Sequence, residues 1–262
     1  MSDTLLLQKE PPLAWIVFNK PERRNAVDLD MWRTLPQLVA EVATDDDLRV
    51  LILRGAGDEA FVSGADISQF GRVRSGSEST REYDRAVDGA LKSLAGLEKP
   101  VITMIHGFCM GGGCSVAVMC DLRLCADDAR FGIPAARLGI AYPLERGVER
   151  LVHIVGVSNA AEILMTAQVY NAEEAAHMGL VNRVLPKAEL ESYTREYALK
   201  LADNAPLSVA AHKFFVRESA KAATLRDMDA VKSWSTRCFG SEDYQEGVKA
   251  FMEKRRPQFQ GK

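Results

Sequence analysis

Three consecutive glycines, Gly111, Gly112 and Gly113, end a turn, GFCMGGG, that leads from an apolar strand-like run, 101–105, to a small-residue apolar stretch, CSVAVM, that reads as a buried helix. At the start of such a helix the first backbone N–H groups have no intrahelical partner, and glycine leaves them sterically open. Open N–H groups at the positive end of a helix suit an anion, or a carbonyl oxygen acquiring negative charge. Close packing of helix on strand also calls for glycine, so both uses stay open on these residues alone. A second glycine-containing turn, FVSGAD (61–66), follows another apolar run earlier in the chain. Two N–H donors from separate turns that converge on one oxygen make an oxyanion hole, able to hold a thioester enolate. A phosphate loop is the poorer reading, because no Lys-Ser/Thr pair follows the glycines.

Other reactive side chains add little. His106 precedes the glycine turn as a packing or backbone-bonding residue, and His153, His177 and His212 fall on expected helices without partner spacing. No HxxxH or CxxC pattern suggests a metal. Cys109, Cys114, Cys120, Cys125 and Cys238 lie mostly in apolar surroundings, and read as reduced core residues of a cytoplasmic protein.

The elements that must position these turns follow from the hydrophobic pattern. Residues 5–8 and 13–19 form an antiparallel hairpin around Pro11 and Pro12. Asp28 is the N-cap of a helix over 29–43. Buried strands are expected at 49–54 and 100–105, short ones at 122–125, 129–132 and 181–184, and a long amphipathic helix at 80–97. Residues 71–79 read as a mobile polar loop. Paired helices are expected at 147–156 and 158–167 and another at 172–178; helices then dominate at 189–203, 206–221, 223–237 and 242–254. Strand–turn–helix alternation followed by an all-helical tail means an α/β fold.

The chain has 262 residues, 47% apolar and 26% charged, with a net charge of -3. That balance gives no bulk attraction to nucleic acid or acidic membranes. The first ten residues show no signal-peptide pattern, and no window approaches the roughly 18 uninterrupted apolar residues of a membrane span.

The motifs NKPERRNAV, FVSGADI, KPVITMIHGFCMGGGCSVAVMCD, FGIP with LGIA, GLVNRVLP, APLSVAAHK and SEDYQEGVKAFMEKRRPQF together resemble the enoyl-CoA hydratase/isomerase (crotonase) family, over essentially the whole chain. The resemblance implies a spiral of ββα units over residues 1–195, with a helical region for oligomerisation over 196–262. It implies acyl-CoA as substrate with no further cofactor, and assembly into trimers or pairs of trimers. The family's oxyanion-hole amides fall on Ala65 and Gly112. Its CoA contacts fall on Arg24, Ala26 and Val27, on Ser63, Ala65, Asp66 and Ile67, and on Phe251 and Lys254 of the tail, Phe251 being open also to core packing.

The family's hydratases use one glutamate after the glycine turn and another after the FGxP motif to activate water. Here those positions hold Ser115 and Ala135, neither of which is a carboxylate. The loop LGIAYPLERGVERL offers Glu145 as a replacement, or as a surface partner of Arg146 or Arg150. Arg137 and Arg146 can bind a substrate carboxylate or form surface ion pairs. The same loop is similar to the methylmalonyl-CoA decarboxylases of the family, which place a tyrosine like Tyr142 in the active site; their histidine in the first oxyanion turn corresponds here to Ala65. Three readings follow: a lyase or isomerase using Glu145, a decarboxylase using Tyr142, and an acyl-CoA-binding protein without catalysis.

Overall fold

The computed structural model describes residues 3–66 and 77–262, except for the side chains of Ser77 and Glu145. Strands β1 (Leu5–Glu10) and β2 (Leu13–Phe18) form the expected hairpin, with Leu5 opposite Phe18. They begin a six-stranded sheet of order β1-β2-β3-β5-β7-β10, parallel from β2 onward, with β3 at Val50–Gly55, β5 at Val101–Ile105, β7 at Leu122–Ala126 and β10 at Arg183–Leu185.

A second sheet of order β4-β6-β8-β9 is built from strands of three residues: Ala60–Val62, Phe108–Met110, Arg130–Gly132 and Val169–Asn171. Of these only β8 matches an expected strand. Residues 60–62 and 108–110, read as turn, are paired strands, because each gains its hydrogen bonds from residues distant in sequence. The chain spirals: β3 then β4, β5 then β6, β7 then β8, each pair followed by a helix. This is the expected ββα arrangement.

Strand alternation sends side chains of the large sheet to two buried faces. Ala14, Ile16, Phe18, Leu51 and Leu53 face the main core, with α1 (Leu29–Thr44) and α2 (Ser77–Gly96). Leu13, Trp15, Val17, Val50 and Ile52 face the opposite way and are covered by Leu190, Ala198 and Ala202 of α6 (Lys187–Ala202). Residue 195 therefore lies inside a continuous helix packed on the sheet, and the purely helical tail begins after Ala202. The loop expected over 71–79 lies outside the described residues through 76, and residues 77–79 are already helical.

The glycine turn opens α3 (Gly112–Met119). The two helices expected over 147–167 are α4 (Val148–Thr166), broken at Gly156, whose φ of 78° and ψ of 165° interrupt the helix. Helix α5 (Ala172–His177) follows, and the tail contains α7 (Pro206–Ala220), α8 (Met228–Phe239) and α9 (Glu242–Met252). The helix expected over 223–237 is shorter: Ala223–Leu225 is a 3-10 turn, and Asp227 caps α8 by accepting from Ala230 N. All five cysteines are free and four are buried; Cys238, expected in the core, is half-buried on α8.

Candidate active site

The two turns read from sequence lie side by side. The chain at 24–27 runs along 63–66, where Ser63 N donates to Arg24 O, Val27 N to Gly64 O and Asp66 N to Val27 O at 2.8–3.0 Å. This parallel bridge uses the carbonyl before Ala65 and the amide after it. The Ala65 N–H itself points away, and among the described residues it has no hydrogen-bond partner. A Cβ built on Gly112 would lie 3.6 Å from Ala65 N and 3.3 Å from Cζ2 of Trp32. The free Ala65 amide therefore borders the space beside Gly112, the first residue of the uncapped α3.

The three glycines have three different reasons. Gly111 sits at φ 47°, ψ −107°, a backbone that L side chains rarely adopt. Gly112 keeps the space beside Ala65 N empty. Gly113 packs α3 on β4, since a Cβ there would lie 2.3 Å from Val62 O. Close packing of helix on strand is thus the task of Gly113, and an open backbone that of Gly112.

Asn25, overlooked in the sequence, holds the first turn. It is fully buried, its Oδ1 accepts from Lys20 N (2.9 Å) and its Nδ2 donates to Ala56 O (2.9 Å) and Ala60 O (2.7 Å). Its φ of 56° suits asparagine, which tolerates the left-handed region. Asp28 caps α1 as expected, accepting from Met31 N. Lys20 donates to both Asp28 and Asp66 at 3.1 Å. Burial pulls the Lys20 amine down, but the two carboxylates outweigh it and raise it overall.

Beside the glycine turn the structure places Ser115, buried on α3, and the half-buried Tyr142. The Tyr142 hydroxyl donates to Gly111 O at 2.9 Å and is hydrogen-bonded to Ser115 Oγ. A phenol has one proton to give. With that proton on a carbonyl, Ser115 is the donor in the second bond. Burial pushes the Tyr142 hydroxyl well above the usual phenol range, so it stays protonated. Tyr142 thus lies against the glycine turn, with its proton engaged with the backbone. Ala135 lies in the 3-10 helix Pro134–Leu138, against the core.

Arg146 is committed to structure: it pairs with Asp84 (2.8 Å) and Asp88 (2.9 Å) of α2, fixing the 3-10 turn Leu144–Arg146. Glu145 has its backbone in that turn, and its side chain lies outside the described residues. Arg137 is exposed.

Of the remaining expected contacts, Ala26, Val27, Ser63 and Asp66 gather around Ala65 through the bridge just described, and Ile67 lies outside the described residues. Arg24 is exposed, paired with Glu59 (2.8 Å) and stacked over Phe108 at 5.2 Å. Phe251 is on α9 and is 82% exposed, which rules out core packing within this chain. Lys254 is exposed just beyond that helix. His106 is buried, its imidazole pKa lowered first by burial. Among the described residues no cluster of His, Cys, Asp or Glu could hold a metal, and no helix is long and apolar enough to cross a membrane.

The enoyl-CoA hydratase/isomerase family model matches residues 8–262, both glycine turns included. The chain belongs to that family. It is 36% identical over 257 residues to a crotonyl-CoA hydratase of Syntrophomonas wolfei, covering 98% of each. It is 32% identical over 255 residues to a peroxisomal Δ(3,5)-Δ(2,4)-dienoyl-CoA isomerase of Arabidopsis thaliana, covering 93% of this chain and 91% of that protein. The crystal structure of an enoyl-CoA hydratase/carnithine racemase from Magnetospirillum magneticum superposes with a TM-score of 0.94 at 33% identity, covering 100% of this chain and 97% of that one. This chain is therefore an acyl-CoA enzyme of the enoyl-CoA hydratase/isomerase family.

Proposed function

We propose that this enzyme holds the thioester oxygen of an acyl-CoA between the N–H groups of Ala65 and Gly112 and stabilises the enolate formed there. The observation that supports this is the closeness of the two turns, with Ala65 N 3.6 Å from a Cβ built on Gly112. An acyl-CoA reaches an enolate by losing a proton to a base, by adding a nucleophile at the β-carbon, or by losing CO2 from an α-carboxylate. The first two routes need a group that takes a proton. Ser115, Ala135 and protonated Tyr142 offer none, and the Asp66 carboxylate is bound by Lys20.

Loss of CO2 needs no base. The pair of the breaking C–C bond moves into the thioester, whose oxygen becomes negative beside the two N–H groups. The α-carbon then takes a proton from water. Decarboxylation of a malonyl-type CoA thioester is the reaction the described side chains support best, with the acyl-CoA as substrate and no cofactor needed. Arg24, Ala26, Val27, Ser63, Asp66 and Ile67 would line the CoA path. Exposed Phe239, Val248, Phe251 and Met252 in the tail support self-association, as a trimer or pair of trimers, and would bring Phe251 and Lys254 to a neighbour's CoA.

A second reading, proton transfer or water addition by Glu145, is favoured by the hydratase and isomerase names of the relatives and by the pinning of the Leu144–Arg146 turn to α2. Malonyl-, methylmalonyl-, 2-enoyl-, 3-enoyl- and 3-hydroxyacyl-CoA, followed by mass spectrometry with wild type and E145Q, separate the two. CO2 loss that survives E145Q is expected. Enoyl-CoA turnover abolished by E145Q, without CO2 release, would replace the first reading by the second. Tight acyl-CoA binding without turnover across the panel would leave a binding protein.

A further inference from the structure

The hydroxyl of Tyr142 and the candidate donor Gly112 N–H meet at the two ends of one peptide unit. Tyr142 donates to Gly111 O, and the nitrogen bonded to that carbonyl carbon is Gly112 N. In a trans peptide the C=O and N–H point in opposite directions within one plane. A donor held on the oxygen therefore sets the direction of the N–H on the far side. It also draws electron density toward the oxygen and makes the N–H a stronger donor, by about 10–30% per added bond in condensed-phase estimates.

Local backbone does not supply this restraint alone. Gly111 has the unusual φ 47°, ψ −107° and no side chain, so few steric walls confine the plane of its peptide. Its oxygen accepts from Ser115 N (3.0 Å) and Tyr142 Oη (2.9 Å), and its own N–H donates to Gly132 O (2.8 Å). The tyrosine is held in turn, because Ser115 Oγ donates to the phenolic oxygen. Ser115 thus contacts the same carbonyl twice, directly through its amide and indirectly through Tyr142.

We infer that Tyr142 is a positioning residue, which orients and polarises the 111–112 peptide so that Gly112 N–H binds the thioester oxygen; Ser115 orients Tyr142. The inference rests on the reading of Ala65 and Gly112 as the oxygen's donors. It explains how a tyrosine beside the site takes part in chemistry without giving its proton to the substrate. It also gives Ser115 a use other than that of a missing base.

The test is isotope-edited infrared spectroscopy of a saturated, unreactive acyl-CoA carrying 13C at the thioester carbonyl, bound to wild type, Y142F and S115A. Acetyl-, butyryl- and octanoyl-CoA are screened and the tightest is used. The wild type should lower the carbonyl stretch relative to free thioester. Y142F should lose most of that shift and about 10-fold or more in kcat, with KM and melting temperature little changed; S115A should lose a smaller part. A merely structural tyrosine would move affinity and melting temperature, not the carbonyl frequency at saturation. A wild-type shift fully retained in Y142F, with unchanged kcat, overturns this inference and leaves the two-donor reading intact. Absence of any shift in wild type, or of binding by all three thioesters, overturns the two-donor reading and this inference with it. If Y142F does not fold, S115A decides: full retention of shift and kcat overturns the chain from Ser115 through Tyr142.

Discussion

Substituting the three glycines one at a time separates site chemistry from packing. In Gly112→Ala the new methyl lies 3.6 Å from Ala65 N, an ordinary contact, and 3.3 Å from Trp32 Cζ2, where the indole must give by a few tenths of an ångström. It fits without moving backbone, yet it occupies the surroundings of an amide that an accepting oxygen must approach to about 2.9 Å. Alanine in place of glycine favours a helix by up to about 1 kcal/mol. The tight contact with Trp32 offsets this, so net stability should stay within about 1 kcal/mol. Activity should not: losing one oxyanion donor costs about 100- to 1000-fold in kcat, roughly 2.7–4 kcal/mol. Gly113→Ala should cost stability instead. Its Cβ would lie 2.3 Å from Val62 O, so backbone must move, at a cost of about 1–3 kcal/mol or more. The pair is measured by turnover of the substrate identified in the thioester panel and by urea unfolding. Full turnover in Gly112→Ala, or native stability in Gly113→Ala, would refute the division of roles drawn from the geometry.

Three further outcomes are expected. Asn25→Ala should cost about 3 kcal/mol or more, because it strands Lys20 N, Ala56 O and Ala60 O at a fully buried site; urea unfolding measures it, and a loss below about 1 kcal/mol would mean those groups find other partners. Arg146→Ala removes two ion pairs of a largely buried guanidinium and should cost about 1–3 kcal/mol, with proteolysis rising at the 144–146 turn; unchanged proteolysis would contradict its role in fixing the turn. Lys213 has its pKa lowered to about 8, chiefly by burial, despite its ion pair with Asp121. Between pH 8 and the ordinary lysine value of 10.5 the unfolded chain binds the proton and the folded chain does not, so this group's contribution to stability rises with pH, by up to about 3 kcal/mol. Lys213→Met should flatten that rise in unfolding experiments from pH 7.5 to 10, and an unaltered slope would show that Lys213 is not its source.

What could be read from sequence was what rests on periodicity and local capping. The hairpin, β3, β5, α1 with its Asp28 cap, and the break in α4 at Gly156 all follow from patterns contained within a few turns of chain. The second sheet could not be read this way. A strand such as Phe108–Met110 is too short to show alternation, and its evidence is the pairing with Ala60–Val62 and Arg130–Gly132. The same limit applied at the site. Both glycine turns were legible as places where backbone N–H groups open, but the proton of Tyr142 goes to an oxygen 31 positions away. Arg146 read as a candidate for a substrate carboxylate; its partner Asp88 lies 58 residues earlier, on a helix that only the fold brings near.

The short helix α3 draws these observations together, because an oxyanion donor is worth most when it cannot relax away from the charge it meets. Eight residues of helix do not hold such a geometry by themselves. At the N-terminal end Tyr142 and Ser115 restrain the Gly111 carbonyl, and Gly113 seats the helix on β4. Just beyond the C-terminal end, Arg123 donates to Ala117 O, Cys120 O and Leu180 O, which places a cation at the negative end of the helix and satisfies its last carbonyls. Asp121 follows, accepting from Val101 N at 2.8 Å and from Lys213 and Arg217 of α7 at 2.5 and 3.1 Å. The helical tail therefore reaches the glycine turn through one short rigid element. On this account a substitution at Lys213 or Arg217, far from any bound thioester, changes kcat to the extent that it lets α3 tilt, and leaves KM to the residues that line the CoA path.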